Sequence, residues 1–305
     1  MSVTVIIPTY KPGDKFRRLM EKLKSQTVSP DKIIIMNTEE RLWDDTMIQG
    51  VGQAEVYHIS KKEFDHGKTR AKGAEKTDSE FLIYFTQDAV PADEYTVENL
   101  LRPFRDPGIG AVYGRQLPDQ NCRLIESYTR SFNYPDKSRK KTKEDLPELG
   151  IKTFFCSNVC AAYRRSVYEK MGGFVYPSIF NEDMIMAGNM IKAGYGVFYA
   201  ADAQVIHSHN YTWIQQFRRN FDLAVSQADH PEIFKGVPSE EEGIRLVKNT
   251  GAYLIKKGKP WLLPQLIISS GFKFLGYRIG KIYRHLPESM IMKFTMNQGY
   301  WENRE

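Results

Sequence analysis

The strongest constraint on this chain is a set of short, apolar, β-branched runs, each followed by polar residues or a helical pattern. Residues 3–7 form the first, closed by Pro8, and residues 32–36, 56–59 and 81–85 follow. Runs like these are apolar on both faces, as strands covered by two layers must be, and that is the character of parallel strands. Between the first two, Phe16, Leu19, Met20 and Leu23 recur at helical spacing, with Asp14 as the expected N-cap. Between the last two, residues 67–76 read as a second helix. Strand and helix alternating in this way predict an α/β fold with a central, mostly parallel sheet.

A ligand of such a sheet belongs beyond the carboxyl ends of its strands. There the chain has Pro8, Thr9 and Tyr10, then Asn37 and Thr38, then Thr86, Gln87 and Asp88. The first of these loops lacks the G-x-G-x-x-G fingerprint, and no P-loop pattern occurs, so a nucleotide is expected to bind without a glycine-rich cradle. Residues 115–147 turn polar, aromatic and basic and read as a mobile loop region over the site. Helix is expected at 181–192, a strand within 197–207, and helices from Trp213 onward. The expected division is a nucleotide-binding domain over 1–212 and a helical extension over 213–305.

A formal charge of +6 and a pI near 9.0 suit an anionic nucleotide or an anionic lipid surface. Nucleic-acid binding would need aromatic platforms along a basic groove, whereas the aromatics gather in the tail and around Phe132 and Tyr134, so no nucleic-acid partner is expected. Cys122, Cys156 and Cys160 lack a second ligand pair at zinc spacing and read as free thiols of a reducing cytosol. No signal peptide is evident, and the longest apolar stretch, 260–272, is too short to span a bilayer. The expectation is a cytoplasmic protein.

Three chemistry-bearing features sit at the ends of expected elements: Asp88, Glu182-Asp183, and His207 with His209. Singly, each has an ordinary role as a turn residue, a first-turn charge on a helix dipole or a polar strand end. Together they meet the needs of group transfer from a nucleotide diphosphate. Asp and His can hold a divalent cation that neutralises the leaving diphosphate, and a separate carboxylate can accept the proton of an attacking hydroxyl.

The motifs carrying these residues come in a telling order. Val5-Ile6-Ile7-Pro8-Thr9-Tyr10 is followed by Gly67-x-x-Arg70, Gln87-Asp88-Ala89, Gly172-Gly173-Phe174, Glu182-Asp183 and Val205-x-His207. This order resembles the family 2 glycosyltransferases of GT-A fold, over roughly residues 3–212. Finer motifs are similar to the bacterial rhamnosyltransferase branch: His66-Gly67-Lys68-Thr69-Arg70, Gly114-Arg115-Gln116-Leu117-Pro118, Cys156-Ser157-Asn158 and His207-Ser208-His209-Asn210.

The resemblance implies Asp88 as the metal carboxylate of the D-x-D element, whose first Asp is replaced here by Thr86 or Gln87. It implies Asp183, with Glu182 beside it, as the catalytic carboxylate of an inverting transfer. His207 completes the metal site, with His209 as alternate, both placed on one face by strand alternation. The metal is Mg2+ or Mn2+. Pro8, Thr9, Tyr10, Asn37, His66, Arg70, Gln87 and Asp88 are expected to bind the donor, Arg70 as a phosphate partner. Arg115, Asn158 and Trp213 are expected to meet the acceptor. The chain departs from the family in having Asn37-Thr38 where Asp-Asp is common, and Asn189 where an Arg is usual.

The implied activity is transfer of L-rhamnose from dTDP-L-rhamnose to a lipid-linked glycan in cell-surface polysaccharide synthesis. The alternatives are a UDP-sugar donor (galactosyl, glucosyl or N-acetylglucosaminyl) and a catalytically silent scaffold. In the tail, Trp261, Leu266, Ile267, Ile268, Phe272, Phe274, Leu275 and Ile282 interleave with Lys273, Arg278, Lys281 and Arg284. That pattern suits a basic amphipathic helix on the inner membrane surface, or one packed on another subunit in an oligomer.

Overall fold

The structure is a computed structural model that describes residues 1–237 and 240–304. The chain forms two compact units: Met1–Leu117, Tyr134–Pro177 and Glu182–His207 make the first, and Pro118–Asn133, Ser178–Asn181 and Ser208–Glu305 the second.

The first unit is built on a sheet whose strands are β1 (Val3–Tyr10), β2 (Lys32–Thr38), β3 (Ala54–Ile59), β4 (Phe81–Phe85), β5 (Val90–Pro91), β6 (Ile109–Leu117), β7 (Arg139–Lys141), β8 (Cys160–Arg164) and β9 (Gly196–Ile206). Their order is β3-β2-β1-β4-β8-β6-β9-β5, with β7 also paired to β9. The α/β class is as expected, and β3, β2, β1 and β4 are all parallel. Beyond them the sheet is mixed, because β8 runs antiparallel to both β4 and β6. The chain can make that reversal because no crossover helix is needed between antiparallel neighbours.

Both faces of β1, β2 and β4 are buried, as the apolar runs require, whereas β3, expected to be buried like them, is the half-exposed edge strand, with Glu55 and His58 at the surface. Val3, Val5, Ile7, Ile33, Ile35, Phe81, Ile83 and Phe85 share one core with Phe16, Leu19 and Leu23 of the helix Asp14–Lys24. That helix starts one residue earlier than its expected cap allows. Gly13, in extended conformation, occupies the N-cap, and Asp14 is the first helical residue, where its charge still suits the helix dipole. On the other face the helix His66–Ala74 lies close to β1: a methyl group at Gly73 would come 2.5 Å from Ile6 Cγ2. Glycine there permits a close helix-to-sheet approach, and it fixes the height of His66 and Arg70 over the sheet.

The stretch 115–147 is not one mobile loop. It contains the helix Leu124–Asn133 and strand β7. The basic run in β7 is consumed internally: Arg139 pairs with Asp145 and Glu148, and Lys140 with Asp106. Lys141 is buried, and its Nζ donates to the carbonyls of Lys152 and Phe155. Burial pulls its ammonium down to about 7. Composition alone reads as a loop here, because several of the partners, Asp106, Glu148 and the Lys152 and Phe155 carbonyls, lie outside the stretch.

The second unit is helical. The helix Leu263–Lys281 packs on Trp213–Asp229 through Gly276 and Gly280, where any Cβ would collide with the backbone oxygens of Phe217 and Phe221. A satellite core of Ile179, Phe221, Val225, Tyr283, Ile291 and Tyr300 ties in the C-terminal helices Glu288–Phe294 and Gln298–Glu302. The outward face of Leu263–Lys281 presents Ile267, Ile268, Phe274 and Leu275, which are 67%, 39%, 54% and 52% exposed. No helix among the described residues is long and apolar enough to cross a membrane.

Candidate active site

The carboxyl ends of β1, β2 and β4 gather the first set of expected residues. Thr9 Oγ1 donates to Asn37 Oδ1 at 3.0 Å, and both side chains are buried. Gln87 spans from the loop after β4 to β1: its Oε1 accepts from Tyr10 N at 2.8 Å and its Nε2 donates to Tyr10 O at 3.0 Å. This side chain imitates a strand partner and fixes the loop in which Asp88 follows. Tyr10 itself is 42% exposed.

Asp88 faces His207, with Oδ1 3.5 Å from Nε2. Strand β9 ends at Ile206, so the alternation expected to align His207 with His209 does not extend to them. His207 is held instead by its backbone N on Leu117 O and by its ring on Gln116. Gln116 donates through Nε2 to Tyr134 Oη and Ser157 Oγ, so its Oε1 is the acceptor for His207 Nδ1 at 2.9 Å. The Nε2 lone pair is then turned to the carboxylate. An oxygen and a nitrogen acceptor meeting in this way fit a divalent cation, and a hydrogen bond on Nδ1 is the usual support of a metal-binding imidazole. Gln116 reaches this position because β6 and β9 slip register between Gly114 and Arg115, beside the bulge that Gly114 makes room for. Arg115, half-buried, lies opposite Gln204 on the far side of that slip.

Glu182 and Asp183 open the helix Glu182–Lys192 and have different surroundings. Glu182 is 6% exposed and ion-paired with Arg70 at 3.2 Å; Asn158 Nδ2 also donates to it at 3.2 Å. Burial opposes its charge, but Arg70, His66 and Asn158 outweigh it and hold the carboxyl below its ordinary range. Asp183 is partly exposed, and its oxygens accept from the backbone N–H groups of Asn158 and Met184. Burial among its neighbours, then the charge of Glu182, push its carboxyl up, to about 7.

Three expected ligand contacts are thus turned inward. Arg70 is buried, bonded to Glu182 and to His66 O. Asn158 is 2% exposed, its Oδ1 accepting from Tyr163 Oη at 2.8 Å. Asn37 is fully buried. His66 begins the helix behind the Asp65 cap. Trp213, in the second unit, begins Trp213–Asp229, is 44% exposed and lies against Phe272. The sequence draws no attention to His58, and it offers Gln116 only as part of a motif, without a role. The signal for each is a polar residue in a strand next to a site residue, and it needs the register to be read: His58 stands opposite Asn37. All three cysteines are free, and burial raises the Cys156 thiol to about 12, so it stays protonated.

A sheet of this topology, with carboxylates and an imidazole collected at its strand ends, defines a GT-A type α/β protein, and the chain belongs to glycosyl transferase family 2, whose profile matches residues 4–172. It is a glycosyltransferase. It is 42% identical to the O-antigen chain rhamnosyltransferase RfbN of Salmonella typhimurium (strain LT2), over 99% of this chain and 97% of that one. It is 41% identical to the O-antigen chain rhamnosyltransferase WbaN of Salmonella anatum, over 99% and 96%. Among solved structures, the mannosyltransferase PcManGT of Pyrobaculum calidifontis, in complex with GDP-Man and Mn2+, shares the fold. The TM-score is 0.58 at 15% identity, covering 99% of this chain and 87% of that one. S. aureus TarS 1–349 in complex with UDP-GlcNAc does so with a TM-score of 0.52 at 14% identity, over 93% and 92%.

Proposed function

We propose that this glycosyltransferase moves L-rhamnose from dTDP-L-rhamnose, with inversion, to a lipid-linked glycan during assembly of an O-antigen-type surface polysaccharide. The observation that carries the chemistry is the divergence of Glu182 and Asp183, one carboxyl held low and the other raised to about 7. The donor sugar rests on likeness to the two rhamnosyltransferases.

Asp183 is the general base. A base whose pKa lies near the working pH combines the correct protonation state with useful basicity. It takes the proton of the acceptor hydroxyl as that oxygen bonds to the anomeric carbon. The bond from that carbon to the donor diphosphate breaks on the opposite side, and the nucleoside diphosphate leaves with the electron pair. Glu182 stays ionised against Arg70 and, through its charge, keeps Asp183 basic; Asn158 positions both. Asp88 and His207, with His209 two residues along the chain as the alternate ligand, would hold Mg2+ or Mn2+, whose charge would offset that of the leaving diphosphate. Thr9, Tyr10, Gln87 and His66 border the donor, while Arg115 and Trp213 serve the acceptor. Residues 1–212 carry catalysis, and 213–305 form the extension that keeps the enzyme peripheral on the cytoplasmic face of the membrane.

The test is transfer to a lipid-linked acceptor, comparing dTDP-L-rhamnose with UDP-galactose, UDP-glucose and UDP-N-acetylglucosamine, with and without Mn2+. Metal-dependent turnover of dTDP-L-rhamnose alone is expected. Turnover of a UDP-sugar instead overturns the donor, and donor binding without any transfer favours a silent scaffold.

A further inference from the structure

His58, at the end of β3, is exposed, yet one edge of its ring is tied down. Asn37 Nδ2 lies 3.2 Å from Glu39 O and 3.1 Å from His58 Nδ1, and Asn37 Oδ1 accepts from Thr9 Oγ1. A backbone carbonyl can only accept, so the amide nitrogen, not the oxygen, must face Glu39. That settles the orientation of Asn37. Its two amide hydrogens go to Glu39 O and His58 Nδ1, and the ring nitrogen is therefore an acceptor there. The neutral imidazole then carries its proton on Nε2, the ring nitrogen remote from Asn37. Trp43 packs edge-on against the ring, with centroids 6.4 Å apart, and limits its rotation.

Position gives this donor its use. In the order β3-β2-β1-β4, three inter-strand steps of about 4.8 Å separate β3 from β4. Asp88 follows β4, so the reach from the diphosphate end to His58 is that of an extended nucleoside diphosphate lying across the strand ends. Asn37 sits on that path but is fully buried, with its amide groups engaged by protein. It cannot touch a base without breaking those bonds. His58 can.

We propose that His58 reads the donor's nucleobase, its Nε2–H donating to a ring carbonyl oxygen of the kind carried by thymine and uracil. Asn37 acts through it as a positioning residue, fixing the tautomer. This inference rests on the nucleotide-sugar donor proposed above. It also gives a physical meaning to the Asn at position 37. An Asp there would present only acceptor oxygens to Glu39 O and would draw the imidazole proton to Nδ1, removing the donor from Nε2.

Calorimetric titration of the full chain with dTDP, UDP, ADP and inorganic pyrophosphate tests the proposal, using wild type, His58→Phe and His58→Gln. The phenyl ring keeps the packing on Trp43 and lacks the N–H; the glutamine amide restores a donor. Loss of one such hydrogen bond predicts about three- to tenfold weaker binding of dTDP and UDP by His58→Phe. Pyrophosphate affinity should be unchanged, His58→Gln should recover part of the loss, and the turnover number at saturating donor should hold while KM rises. Unchanged dTDP and UDP binding by His58→Phe sinks the assignment. So does a parallel loss of pyrophosphate binding, which would mark a general disturbance of the fold. Wild type that binds no nucleotide would overturn the donor reading itself, whereas nucleotide binding indifferent to His58 overturns this inference alone.

Discussion

At the scale of single residues, the site depends on how differently two adjacent carboxylates are treated. Glu182 and Asp183 share a helix start, but only Glu182 meets a guanidinium, 3.2 Å away. Asp183 has backbone N–H groups that favour its charge, but burial and then the field of Glu182 outweigh them and raise its carboxyl to about 7. A base works only when deprotonated, so kcat/KM should fall on the acid side of neutrality, with an apparent pKa near that value. Asp183→Asn should lower transfer by at least about 10²-fold while donor binding persists, since the base contributes roughly 10²–10⁴. Rates and donor affinity measured together decide it: loss of both in proportion removes Asp183 from the base role. The residue types were legible in the sequence, but their division of labour was not. Arg70, expected on phosphate, is far from Glu182 along the chain, and only the fold brings it to that carboxylate.

At the scale of elements, the close approach of Leu263–Lys281 to Trp213–Asp229 depends on two glycines one turn apart. Gly276 and Gly280 face the Phe217 and Phe221 carbonyl oxygens with no room for a Cβ. Gly276→Ala should force the helices apart at a cost of about 1–3 kcal/mol, since backbone has little freedom to give. Gly271→Ala, where nothing lies within 4 Å, should be neutral or slightly stabilising through helix propensity. Thermal unfolding of the pair checks this: equal melting temperatures would mean the glycine contact contributes nothing. Hydrophobic periodicity located both helices but could not say which glycines were contacts. A glycine in an exposed turn of helix and one wedged against a carbonyl look alike until the partner is in place.

At the scale of the whole molecule, charge and apolar surface segregate along the chain. Residues 259–287 contain no Asp or Glu and expose Lys259, Arg278 and Lys281, while Arg284 is paired with Asp229 and Lys273 is half-buried; Trp261, Ile267, Phe274, Leu275 and Ile282 are more than half exposed. Two copies of such a face would repel, whereas an anionic lipid surface attracts it at about 1 kcal/mol per cation near the surface. The full chain should therefore co-sediment with vesicles containing phosphatidylglycerol and less with pure phosphatidylcholine, with binding weakened at about 1 M salt, where screening is strong. Phe274→Ser should reduce it further. Failure to bind anionic vesicles, together with a concentration-dependent oligomer, would assign this face to another subunit.

The sequence by itself determined the α/β class, the four parallel strands and the identity of most chemistry-bearing residues, because local apolar patterning and motif order are properties of neighbouring residues. Only the tertiary structure decided which of these residues meet. The antiparallel insertion of β8, the register slip that brings Gln116 to His207, the burial of Arg70 and Asn158 behind the carboxylates, and the pairing of Asn37 with His58 all arise between segments far apart in the chain. Their partners, and hence their charges and tautomers, are set by packing that no local pattern encodes.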